Sequence, residues 1–256
     1  MVRKMTASSE MSAPLPGGVG LSHISAYEWE AADGVCGGSP HLHLACTEAY
    51  VVTAGRGAVQ TLTLADGFTE TPLEPGSVVW FTPGTIHRMV QGGGLKVTVL
   101  MQNSGLPEAG DAVFTFPPEV LADPERYAAA AALPAKEGPE ADAAARRRRD
   151  LAVEGYLTLR AAAEKDDDAP LRAFHEAAAR IVAPKVKEWE PRWRDGALAA
   201  ARRTGEQLTA LAAGDAAHLA EARVTATGPS RRGGYGMCGR RDEYELPGVT
   251  LPYYGE

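Results

Sequence analysis

The chain changes character at Pro117-Pro118, and that break limits the folds open to it. Upstream, from about Gly20 to Phe116, short β-branched or apolar runs at 50–53, 58–64, 77–81 and 96–101 read as strands. Between them lie Gly55-Arg56-Gly57, Asp66-Gly67, Pro75-Gly76, Pro83-Gly84 and Gly92-Gly93-Gly94, which read as turns. Many short strands with this punctuation predict a β-sandwich or barrel. Downstream, Ala, Arg, Glu and Leu dominate and the apolar period becomes helical. Leu171, Phe174, Ala178 and Ile181 recur at three and four residues after Asp168, a predicted N-cap, with Pro170 in the first turn. Leu198, Ala201, Leu208 and Leu211 repeat the pattern before Gly214, a predicted C-terminal stop. The Arg146–Arg149 run reads as a solvated helix face.

These signals predict four regions: a disordered leader over 1–18, a barrel over 19–116, a helical region over 117–226, and a tail over 227–256. The tail carries Tyr235, Met237, Leu246, Val249, Leu251, Tyr253 and Tyr254, too apolar for a solvated end, so it is predicted to pack back on the protein. With 256 residues, 45% of them hydrophobic, a core of real size can be buried. A net charge of -7 offers no basic field to nucleic acid or to an anionic membrane surface, and neither partner is predicted. Cys36, Cys46 and Cys238 form no Cys-x-x-Cys pair and leave one over, which fits a reducing, cytoplasmic setting. No run approaches the 18 or so apolar residues of a membrane span.

Chemistry concentrates in His41-Leu42-His43, followed by Glu48 and Gly55, and answered by His87 in Thr82-Pro83-Gly84-Thr85-Ile86-His87. Residues two apart in a strand share a face, so His41 and His43 look the same way. With six His in the chain, a His-x-His is expected by chance only about 0.14 times, and fixing Glu48 and Gly55 lowers that to roughly one in a thousand. Three imidazoles and a carboxylate suit one divalent ion: iron, manganese, nickel, zinc or cobalt.

At these residues the chain resembles the cupin superfamily, whose first motif is G-x5-H-x-H-x3or4-E-x6-G and whose second is G-x5-P-x-G-x2-H-x3-N. His41, His43, Glu48 and Gly55 match the first, and Gly76, Gly84 and His87 the second. Three positions outside the ligands depart from it: the leading glycine is Gly34, one residue out of place, Thr82 stands for the proline, and Gln91 for the asparagine. The resemblance implies a β plus α chain: an antiparallel jelly-roll barrel holding metal in its mouth on His41, His43, Glu48 and His87, followed by the helical region.

Four ligands on a six-coordinate ion leave up to two positions for a small-molecule substrate. Two reaction classes fit. One is proton transfer beside a carbonyl, as in sugar or sugar-phosphate isomerases and epimerases of the superfamily. The other is iron- or nickel-dependent dioxygenation of an enol, catechol or thiol. The isomerase reading leads, because the His87-Arg88 segment resembles the second motif of sugar-phosphate isomerase cupins. A non-catalytic sugar-binding or sensing role is the alternative of another class.

Glu48 is the candidate general base and Tyr50, inward by strand parity, a candidate hydrogen-bond donor. One of Trp80 and Phe81 should line the cavity, while Arg88 should point away from the metal to a surface or interface. Cys46 reads as a small buried residue, and His23, His175 and His218 as ordinary. Arg240 or Arg241 is a candidate anion contact if the tail covers the barrel mouth, against a salt-bridge role. The apolar helix stripes predict a homodimer.

Overall fold

The structure is a computed structural model that describes residues 15–245. The leader residues 1–14 and the tail positions Leu246, Val249, Leu251, Tyr253 and Tyr254 lie outside the described residues. Among the described residues nine strands form one antiparallel sheet: β1 Gly20–Ala26, β2 His41–His43, β3 Glu48–Thr63, β4 Gly67–Leu73, β5 Val78–Phe81, β6 Ile86–Met101, β7 Ala112–Phe114, β8 Arg231–Tyr235 and β9 Gly239–Glu243. The sheet and the helices after it make an antiparallel barrel with a helical region.

Strands β3 and β6 run antiparallel over almost their whole length, from Glu48 opposite Met101 to Leu62 opposite Ile86. Both were predicted to break into turns, at Gly55-Arg56-Gly57 and at Gly92-Gly93-Gly94. Instead these glycines face one another as irregularities inside a continuous ladder, with Arg56 opposite both Gly93 and Gly94. The reason is close approach: a Cβ on Gly55 would lie 2.1 Å from the Gly94 oxygen, and one on Gly57 2.1 Å from the Val90 oxygen. Each long strand therefore bends and serves two half-sheets. One half pairs β4 with β3, β3 with β6, β6 with β2 and β2 with β7; the other joins β5, β3, β6, β1, β9 and β8.

The β8–β9 hairpin adds to the barrel because β9 pairs with β1 from Ser22 opposite Glu243 to Ala26 opposite Gly239. Ile24, Tyr50, Val52, Val59, Leu73, Phe81, Met89, Leu95, Val97 and Val99, with Cys238 from the hairpin, fill the barrel interior.

Among the described residues six α-helices follow β7: α1 Pro118–Leu121, α2 Pro124–Ala131, α3 Pro139–Ala163, α4 Ala169–Val182, α5 Val186–Trp193 and α6 Ala199–Ala212. In α4 the buried set is Leu171, Phe174, Ala177, Ala178, Ile181 and Val182, one stripe at helical spacing. Asp168 precedes α4 without capping it; the Asp167 side chain accepts the Ala169 N–H instead, at 3.0 Å. This stripe packs with Tyr156 and Leu159 of α3 against Leu42, Leu62, Ile86 and Val113 on the outside of the barrel. Helix α3 approaches so closely that a Cβ on Gly155 would sit 2.0 Å from the Thr115 oxygen, while Thr115 Oγ1 donates to the Ala152 carbonyl at 2.8 Å.

Two helix expectations are corrected. The Arg146–Arg149 run is not wholly solvated: Arg149 is 1% exposed and donates to the Trp29 and Glu30 carbonyls at 2.6 and 2.7 Å, and Arg148 donates to those of Ala131 and Gly236. These guanidiniums pin α3 to backbone carbonyls of α2, of the 29–30 segment and of the β8–β9 turn. Conversely, α6 buries none of its residues, and Leu208 and Leu211 stand exposed. No helix among the described residues is long and apolar enough to cross a membrane.

Candidate metal centre

Strand pairing assembles the centre. His41 and His43 share one face of β2, and His41 lies directly opposite His87 on β6. Glu48, the first residue of β3, enters from beyond the intervening turn and pairs with Phe81 and Met101. All four side chains are buried, and one ligand atom from each lies within 4.8 Å of every other.

Nε2 of His87 is 3.1 Å from Nε2 of His41 and 3.0 Å from Glu48 Oε2, which is 3.3 Å from His43 Nε2. Two donors at right angles on an ion with bonds of about 2.1 Å are about 3.0 Å apart. These distances would suit neighbouring donors on one such ion. Glu48 Oε2, though buried and so near two imidazoles, accepts no hydrogen bond.

Each histidine is oriented from its other nitrogen. His41 Nδ1 meets the Ser39 carbonyl at 2.8 Å, and His87 Nδ1 the Thr85 carbonyl at 3.2 Å. His43 Nδ1 meets Asp111 Oδ2 at 3.0 Å. A carbonyl only accepts, so Nδ1 of His41 and His87 donates to it, which turns Nε2 of each ring into the centre. The two Nε2 atoms, 3.1 Å apart, need either a proton or a cation between them. With a third nitrogen and an orphaned carboxylate oxygen aimed at the same point, the donor set fits a divalent metal.

The electrostatics agree. Burial, with the neighbouring His87 and His43, holds His41 well below the ordinary histidine pKa. For His43 burial acts the same way, but Asp111 and Glu48 outweigh it and raise the pKa to about 9. Burial alone would raise Glu48, and the imidazoles of His87 and His43 instead hold its carboxyl far below the usual range.

Asp111 is the functional residue that motif reading missed. It closes a wide turn over Pro107–Asp111, is fully buried, and its Oδ1 also accepts the Ala45 and Leu44 N–H groups at 2.7 and 3.1 Å. One carboxylate thus orients a ligand and clamps the chain between His43 and Glu48. The available signal was local: a lone acid opening the apolar run Ala112-Val113-Phe114.

Phe81 faces the interior, its ring centred 4.2 Å from that of His87, while Trp80 is 68% exposed and belongs to no wall. Tyr50 is fully buried; its hydroxyl meets Cys238 Sγ at 3.4 Å, and burial pushes its pKa well up. Arg88 does point away from the ligands, but not to a surface: it is 1% exposed and forks onto Asp33, 2.5 Å from Oδ2 and 3.1 Å from Oδ1. Cys46 is buried in the core between barrel and helices. His23 bonds Thr98 on the barrel, and His175 contacts the Gly84 carbonyl; neither belongs to the four-ligand group. His218 lies in a short turn after α6. Arg240 pairs with Asp142 at 2.8 Å and lies over the Tyr235 ring, while Arg241 pairs with Glu243 at 2.8 Å.

A cavity of about 230 Å³ opens from His41, His43 and Glu48 and is walled by β1, the 107–112 turn, the helical region and the β8–β9 hairpin, with Cys238 rather than Tyr50 on its surface. That is a little below the roughly 300–1,000 Å³ of drug-sized ligand sites, which suits a small substrate. A second, open depression on α3, around Leu157, Ala161 and Lys165, holds none of the four ligating side chains.

No protein-family model matches the chain, and no curated protein sequence matches it. Among solved structures it is similar to QdtA, a sugar 3,4-ketoisomerase from Thermoanaerobacterium thermosaccharolyticum, at 17% identity and a TM-score of 0.27, over 32% of this chain and 57% of that one. It is similar to KdgF from Halomonas sp. at 20% identity and a TM-score of 0.26, over 36% and 75%. Drosophila melanogaster CENP-C bound to CAL1 is matched at 14% identity and a TM-score of 0.26, over 33% and 59%. The chain thus spans less than two thirds of CENP-C and of QdtA, and overlaps this slight leave the reading of the centre to its own geometry.

Proposed function

We propose that the protein is a metal-dependent enzyme acting on a small oxygen-rich molecule, with isomerisation or epimerisation of a sugar or sugar derivative as its reaction. The observation that carries this is the convergence of His41, His43 and His87 Nε2 with an orphaned Glu48 oxygen beside a cavity of about 230 Å³. The ion, when bound, polarises a substrate carbonyl or hydroxyl and stabilises the negative charge that develops there.

The chain's own residues do the rest. Ser39, Thr85 and Asp111 hold the imidazoles in the ligating tautomer. Phe81 and Phe114 keep water from the buried side of the rings, their centroids 4.2 Å from His87 and 6.3 Å from His41. Glu48 has a second carboxylate oxygen to take a substrate proton. Tyr50 reaches the cavity through Cys238, so its part in this reading is positioning.

Elemental analysis of protein purified without added metal tests the proposal. Near one equivalent is expected in the wild type and little in a His41→Ala/His43→Ala variant; equal trace metal in both sinks it. Oxygen uptake with the iron-loaded protein then separates the dioxygenase reading, since isomerisation consumes none. The proposal includes a cytoplasmic homodimer using the exposed face of α6, to be checked by light scattering.

A further inference from the structure

The cavity is walled by four cationic side chains besides the ligands, and three of them already have partners. Arg231 pairs with Glu137 at 2.8 Å, Arg241 with Glu243 at 2.8 Å, and Arg148 donates to the Ala131 and Gly236 carbonyls. Lys185, in the turn Ala183–Lys185 between α4 and α5, makes no hydrogen bond or ion pair with any described residue. The acid whose field reaches it is Glu188, three residues on in the same helical stretch.

Its position is set by the backbone that carries the metal centre. Lys185 packs on Gly110, where a Cβ would lie 2.5 Å from Nζ, so the missing side chain leaves the space the ammonium occupies. Gly110 has a φ of 93°, which favours glycine, and the next residue is Asp111, the partner of His43 Nδ1. One short turn therefore connects the ammonium to the ligand set, and both face the same cavity.

We propose that Lys185 anchors an oxyanion of the substrate, a carboxylate or a phosphate, and so selects an acidic sugar derivative over a neutral sugar. The charge balance supports it. On the cavity wall Arg241 is answered by Glu108 and Glu243 and Arg231 by Glu137, whereas the Lys185 ammonium has the field of Glu188 but no contact with an acid. Holding an ammonium half-buried without a partner is unfavourable, and a bound anion removes that cost. Burial also lowers the lysine pKa, consistent with a group held away from bulk water. The inference rests on the proposed metal-dependent reaction at this cavity.

The test uses the full chain with inorganic phosphate, glucose 6-phosphate, glucuronate and neutral glucose. Calorimetric affinities are measured for wild type, Lys185→Gln and Lys185→Arg, beside mass-spectrometric protection of Lys185 from acetylation. At least one anion is expected to bind and to protect Lys185, with glucose far weaker. Lys185→Gln should weaken that anion about 10- to 100-fold, and Lys185→Arg should restore most of it. Phosphate-bearing and carboxylate-bearing probes separate the two oxyanion sources. The anchor is overturned if Lys185→Gln binds the anion as wild type does, or if no anion protects Lys185 at about 10 mM, above the usual KM range. Metal content of each sample is read separately. A wild type that lacks metal yet binds the anion through Lys185 overturns the metal reading and upholds the anchor.

Discussion

Replacing Asp111 with Asn changes the chemistry of the centre while barely changing its shape. The new side-chain oxygen can still accept the Ala45 and Leu44 N–H groups, which lie 2.7 and 3.1 Å from the present Oδ1. The new amide nitrogen, however, faces His43 Nδ1 at the position where Oδ2 now accepts. An amide N–H and an imidazole N–H cannot both donate, so the ring must move its proton to Nε2 or rotate, and either removes a lone pair from the metal. Loss of such a partner typically weakens metal binding about 10- to 100-fold, or about 1.4–2.7 kcal/mol.

The pH of the assay decides how much of this is seen. In the metal-free protein Asp111 and Glu48 overcome burial and raise His43 to about 9, so below that pH a metal must displace a proton. Wild-type affinity should therefore rise with pH until about 9. Asp111→Asn also weakens the competing proton, so its deficit should be largest at pH 9 and above and smaller near neutrality. Competition with a chromophoric chelator across this range measures both effects. Equal affinity of the two proteins at pH 9 would refute the reasoning. The same shift governs metal-free stability: a folded pKa raised above the unfolded value of about 6.5 stabilises fully below 6.5. That contribution is lost as pH rises through about 9. Urea midpoints should fall over that window in the wild type and less in Asp111→Asn.

Three further outcomes are expected. Arg149→Met leaves the Trp29 and Glu30 carbonyls without their buried donor and should cost about 2–4 kcal/mol in urea unfolding, against about 0.5 or less for a solvated arginine. Gly57→Ala, whose Cβ would meet the Val90 oxygen at 2.1 Å, should lower the melting temperature by the equivalent of about 1–3 kcal/mol; an unchanged melting point disproves the close strand approach. Phe174→Ala should cost about 3–5 kcal/mol, whereas Leu208→Ala on the exposed face of α6 should stay within about 0.5 kcal/mol in a monomer. A larger loss at Leu208 that depends on protein concentration marks the dimer contact.

The four-residue cluster was legible because it is local: His-x-His needs only the period of a strand to share a face, and His87 follows a turn marked by Pro83 and Gly84. The buried stripe of α4 was legible for the same reason, as periodicity of 3.6 needs no partner to be seen. Gly55 and Gly94 were misread because a glycine that permits a turn and one that permits two backbones to touch look alike in one dimension. Arg88 and Arg149 read as surface charges because their partners, Asp33 and the carbonyls of Trp29 and Glu30, are 55 and about 120 positions away. Sequence alone thus determined a β-then-α order, without the β8–β9 hairpin that returns to the barrel, and the four side chains that cluster. Tertiary structure decided which wall surrounds that group: Phe81 over Trp80, Asp111 behind His43, and Lys185 from the helical region. Donor types repeat at the spacing of one element, whereas orientation and counter-charge come from elements that meet only when the barrel closes and the helices pack against it.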